Sequence, residues 1–161
     1  MRDVFDVLVL ARLSFAACLC ITASCAEERS PLPPEANFEV FEAQVYPILV
    51  RDCGFPACHG SEGRFFQVFG PGRMRLNPNS AISQPATPEE VQAAFDRSRG
   101  MLASFNTAES SLFVRKPLAV DLGGAPHVGA TDSGRDVYND REDRSYNILR
   151  SWARAALGQE N

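Results

Sequence analysis

Apolar residues recur at helical spacing in three stretches of this chain. Phe38, Phe41, Val45, Ile48 and Leu49 mark an amphipathic helix ending close to Cys53. Pro47 lies inside it, where a missing N–H predicts a kink or a new first turn. A second helix starts at Thr87-Pro88-Glu89-Glu90, with Thr as N-cap, Pro at the first helical position and Glu completing a capping box. It carries Val91, Ala94, Phe95 and Ser98 inward and breaks near Gly100. The last helix begins around Asp140–Asp143, whose acids suit a helix N-terminus. It places Tyr146, Leu149, Trp152, Ala153 and Ala156 on one side and stops at Gly158.

Between these stretches the pattern is irregular. Residues 64–76 are aromatic and then broken by Gly-Pro-Gly, which predicts a loop with a short extended piece packing on whatever Cys53 and Cys58 hold. Residues 77–86 form a polar loop, and Ser110–Leu118 is a short apolar segment before the turn Gly123-Gly124-Ala125-Pro126. Residues 131–143 are polar and acidic. Asp132–Asp143 lacks the glycine and glutamate spacing of an EF-hand and reads as a solvated loop. The expected fold is mostly α: three or four helices with long loops and little sheet. Trp152, Tyr146, Phe38 and Phe41 form the expected core between first and last helices.

The N-terminus changes the compartment. Residues 4–24 are mostly apolar, and the uninterrupted run after Arg12 is too short to span a bilayer, which reads as a secretory signal peptide over 1–25. Asp3 and Asp6 are atypical of a positive n-region, so translation is expected to start downstream of Met1. Thr22-Ala23-Ser24-Cys25 resembles a bacterial lipobox, with Thr22 where Leu is usual, so Cys25 is the expected lipidation site. Ordinary cleavage after Ala26 is the alternative. Residues 26–37, with Pro31, Pro33 and Pro34, read as a Pro-rich linker, and 38–159 as the domain.

Of the five cysteines, Cys18 and Cys20 leave with the signal, so the mature interior keeps Cys53 and Cys58. Free thiols do not persist unmodified in an oxidising compartment, so this pair must become a disulfide, a metal site or a haem attachment. His59 follows Cys58 directly. Two thiols beside an imidazole can tether a haem by two thioether bonds and place a nitrogen on its iron. The usual signature is C-x-x-C-H, whereas four residues separate the cysteines in this chain. A disulfide across so short a loop adds little stability, because the gain grows with loop length. Zinc needs four ligands, and the interior offers two Cys and the chain's two His, without finger-type spacing.

The second axial ligand expected for such an iron is His127, which follows the glycine-rich turn. Met101 and Met74 are the thioether alternatives, and an open position is the third. Arg64, Arg73 and Arg75 flank the aromatic segment and could pair with haem propionates, although a solvated face is the simpler reading for each. A net charge of −4 without a basic stripe argues against a nucleic-acid partner. No paired carboxylates, Ser/His/Asp set or phosphate loop points to a hydrolase or a kinase.

With Cys53, Cys58-His59-Gly60 and the preceding Val45-Tyr46-Pro47-Ile48-Leu49, the chain resembles c-type cytochromes, in particular small exported cytochrome c-like domains. The likeness extends to Ser110-Ser111-Leu112, Lys116-Pro117-Leu118, Gly123-Gly124 with His127, and Tyr146, Leu149 and Trp152. It implies one covalent haem c per chain and a non-enzymatic, one-electron carrier serving a redox protein partner in the cell envelope. The implied location is periplasmic or outer-membrane-associated, with membrane contact only through the N-terminal lipid. A cofactor-free, disulfide-containing lipoprotein acting as a binding or structural module is the competing class.

Overall fold

The computed structural model describes residues 31–126 and 136–159. The signal peptide, Cys25, His127 and residues 128–135 lie outside the described residues. The described part is mostly helical, and its one β-type pairing is an isolated parallel bridge between Leu118 and Tyr138. The extended piece expected in 64–76 forms no ladder.

The first helical run alternates between two geometries. α1 (Phe38–Val40) leads into a π-helical turn, Phe41–Val45, then α2 (Tyr46–Ile48) and a second π-helical turn, Leu49–Cys53. Asn37 caps the start, its Oδ1 accepting from Val40 N–H at 2.9 Å. Pro47 has no N–H to give to the carbonyl four residues back. The π-turn shifts the register ahead of it, with Tyr46 N–H bonding Phe41 O, so Pro47 opens a fresh α-turn. The second π-turn closes with Gly54 N–H on Leu49 O at 2.9 Å and delivers Cys53 at its last position.

α3 (Pro88–Gly100) has the expected capping box and buries Val91, Ala94, Phe95 and Ser98. Its Glu90 does more than cap. The carboxylate also takes two bonds from Arg75, at 2.8 and 2.9 Å, and one from Leu76 N–H at 3.1 Å. The rest of the Arg75 guanidinium bonds the carbonyls of Ala81, Gln84 and Pro85, so the 77–86 loop wraps this buried ion pair. Arg75 is therefore neither a solvated arginine nor open to a propionate.

The apolar segment after Ser110 is α4 (Leu112–Arg115), capped by Ser111. α5 (Arg144–Ala156) starts from Asp143, whose Oδ1 accepts from Ser145 and Tyr146 N–H, and ends as Gly158 takes a φ of +67°. Trp152 is the centre of the core. Its ring meets Phe41 at 5.2 Å, Phe113 at 5.3 Å and Phe95 at 6.2 Å, and its indole N–H bonds Asn37 O at 3.2 Å. Trp152, Tyr146 and Phe41 are buried as expected, while Phe38 is half-buried and packs edge-on against Phe95.

The Pro-rich stretch is partly docked. Arg99 donates to Pro34 O at 2.7 Å and to Pro33 O at 3.4 Å, and Ala36 packs against the core. Residues 33–37 are thus part of the domain rather than free tether. None of the described helices is long and apolar enough to cross a membrane.

Candidate functional site

Cys53, Cys58 and His59 lie on one closed loop at the end of the first helical run. Cys58 N–H and Gly60 N–H both bond Phe55 O, at 2.8 and 2.9 Å, and His59 N–H returns to Cys53 O at 3.0 Å. Those bonds bring the two cysteines and the histidine onto a single small frame. Gly60 makes the closure sterically possible: a Cβ there would stand 2.0 Å from Gly54 O. Both cysteines are free thiols, Cys58 exposed and Cys53 half-buried. Burial, with the nearby Asp52 charge, pushes the Cys53 thiol up to about 12, which favours its protonated form.

His59 is held by the segment that follows the loop. Its Nδ1 stands 2.7 Å from Phe66 O, the Phe66 ring meets the imidazole edge-on at 5.2 Å, and Val68 N–H bonds His59 O at 2.8 Å. A carbonyl only accepts, so Nδ1 is the protonated nitrogen and the neutral ring carries its lone pair on Nε2. Burial lowers the His59 pKa despite the Phe66 bond, and the positive charges of Arg64 and Lys116 lower it further. Lys116 Nζ also donates to Pro126 O at 2.6 Å, one residue before His127.

The turn leading to His127 has a defined shape. Ala125 N–H bonds Arg115 O at 2.9 Å and Gly124 N–H bonds Ala119 O at 3.0 Å. Gly123 adopts a φ of +87°, and a Cβ on Gly124 would stand 1.8 Å from Leu118 O, so both glycines are required. Of the sulfur alternatives, Met101 packs against the core at the end of α3, and Met74 is half-buried.

Arg73 and Arg64 take different roles. Arg73 caps the first helical run, donating to Val50 O at 2.8 Å and Arg51 O at 3.4 Å, and lies 4.1 Å over the Phe55 ring of the loop. Arg64 is exposed and makes a long contact to Ala57 O at 3.4 Å. Neither Asp52 nor Tyr138 stood out in the sequence, yet both meet at the site: Tyr138 Oη donates to Asp52 Oδ2 at 2.8 Å. Tyr138 is 5 % exposed, so at least this part of the acidic 131–143 stretch is not solvated. Their separation of 86 residues explains why no local pattern revealed them.

Among the described residues, no group of three His, Cys, Asp or Glu side chains could hold a metal ion, so zinc would need ligands from elsewhere in the chain. The chain matches no family model, no curated protein and no solved structure.

Proposed function

We propose that Cys53 and Cys58 carry one covalent haem, that His59 is an axial ligand of its iron, and that the protein is a one-electron carrier of the cell envelope. The observation that carries this reading is the bond from His59 Nδ1 to Phe66 O. Histidines that bind metals characteristically donate their other ring N–H to a backbone carbonyl, which fixes the tautomer and aims Nε2. The donor types suit the group: two thiols and an imidazole on one hydrogen-bonded loop, which a haem could tether through two thioether bonds and one axial nitrogen. Phe55 and Phe65, 46 % and 89 % exposed, are apolar surface beside this loop that a bulky apolar group would cover.

Bound iron would supply a reversible one-electron couple. The chain's part is to hold it. Phe66 O orients the imidazole, Gly60 lets the loop close, and Arg73 ties that loop to the helix end. For the second ligand the proposal is His127, with Met101 and Met74 as the sulfur alternatives. What supports this choice is the defined turn before it, in which Lys116 Nζ holds the Pro126 carbonyl immediately before His127 at 2.6 Å.

Intact mass of protein exported from cells competent in cytochrome maturation tests the reading. The expected mass includes one haem that survives acid and organic extraction, and Cys58→Ala retains it through one thioether bond only. A mass equal to the bare polypeptide overturns the haem, and a mass lower by two hydrogen atoms, as two cysteines oxidised to a disulfide would give, overturns it in favour of the disulfide-containing module.

A further inference from the structure

Asp52 stands one residue before Cys53 in a clamp of two donors. Arg51 Nε and Nη2 reach its carboxylate at 2.6 Å each, and Tyr138 Oη, from the Leu118–Tyr138 bridge, does so at 2.8 Å. The same Arg51 Nη2 bonds Ser145 Oγ at 2.7 Å, in the first turn of α5. Tyr138 is fixed in turn by the bridge, with Tyr138 N–H on Pro117 O and Ala119 N–H on Tyr138 O, both at 2.9 Å, and its ring packs 5.8 Å from Tyr146. Burial alone would push the Asp52 carboxyl up, but the bonds from Arg51 and Tyr138 outweigh it and keep the group ionised.

The two sides of this cluster differ in solvent. The Asp52 side chain is 18 % exposed and its Arg51 partner 62 % exposed. Water therefore screens the cation more than the anion, and the less screened charge beside Cys53 is negative. A surface pair has no need of a second, buried donor. This carboxylate has one, and that donor comes from the element that ties the 117–119 segment to the helix end.

We infer that Asp52 is a positioning residue for the group held by Cys53, Cys58 and His59: its clamp by Arg51 and Tyr138 sets the placement of the Cys53 turn, and its charge favours the oxidised state of that group. This rests on the haem reading. A negative charge stabilises the more positive of two redox states, so removing it favours reduction, and removing the neighbouring cation does the opposite.

The test is redox titration of the haem-loaded protein and of three variants, after intact mass has established haem content. Asp52→Asn should raise the midpoint potential, changing the oxidised-to-reduced equilibrium by up to about tenfold, or 59 mV for one electron. Arg51→Gln should lower it. Asp52→Glu, which keeps the charge, should return the midpoint towards the wild type. A purely structural role would lower melting temperatures without moving the midpoints in opposite directions. Haem-loaded variants with unchanged midpoints, or with shifts of the same sign, overturn this inference and leave the haem reading intact. A wild type without haem overturns both. Should Asp52→Asn fail to fold, the sign of the Arg51→Gln shift alone decides.

Discussion

At the scale of single residues, Gly60 shows how little freedom the Cys-His-Gly run has. The obstacle to a side chain there is the Gly54 carbonyl, which is backbone and cannot rotate away. Gly60→Ala should cost about 1–3 kcal/mol, the usual penalty of overpacking, and reduce haem retention in the same samples. Gly100→Ala is the control, because a Cβ there meets nothing within 4 Å. It should leave the melting temperature unchanged or slightly raised. Equal losses in both variants would show that the contact with Gly54 is not what makes the glycine necessary. Cys53, Cys58 and His59 were legible in the sequence as candidates, because a cysteine beside a histidine is a local pattern. The partner of His59 was not: a backbone carbonyl seven positions on carries no side-chain signature.

The elements were read with uneven success, for physical reasons. Thr87 and Asp143 announced their helices because a cap acts within three residues of itself. The π-turns at Phe41–Val45 and Leu49–Cys53 went unread, since they continue an α-like periodicity, and only Pro47 between them hints at a shift of register. Glu90 was legible as a cap and illegible as the partner of Arg75, fifteen residues earlier. That second role predicts acid sensitivity. Burial pushes the Glu90 carboxyl up, but the bonds from Arg75, Thr87 N–H and Leu76 N–H prevail and hold it below its ordinary value. A depressed carboxyl stabilises the fold above its unfolded pKa, about 4.3, and loses that contribution as pH falls through the folded value. Asp52 acts in the same sense. The melting temperature should be flat from pH 7 to about 5 and fall below about 4. Glu90→Gln should start lower and show a shallower acid limb. An acid limb as steep as the wild type's would place the sensitivity elsewhere.

For the whole molecule, the mostly helical class and the meeting of first and last helices at Trp152 follow from periodicity alone. The way in which the 117–119 segment reaches the end of the first helix does not, because it depends on one bridge and one phenol. The compartment remains a proposal that rests on the N-terminal pattern. If Cys25 carries lipid, Cys25→Ser should move the protein from the membrane to the soluble fraction, since one anchor alone holds it there. Unchanged fractionation, or a mature N-terminus at Glu27, would remove the anchor from the proposal.

The clamp of Arg99 on Pro33 and Pro34 bears on how such a protein would meet its partner. With those prolines docked, the slack between a lipid at Cys25 and the body is only residues 26–32, no more than about 25 Å when fully extended. On the proposed reading, a lipid-anchored carrier on so short a leash would not diffuse through the compartment. It would search in two dimensions, at the high effective concentration that a short linker imposes, and would exchange electrons with partners whose own docking faces lie within a few nanometres of the same bilayer.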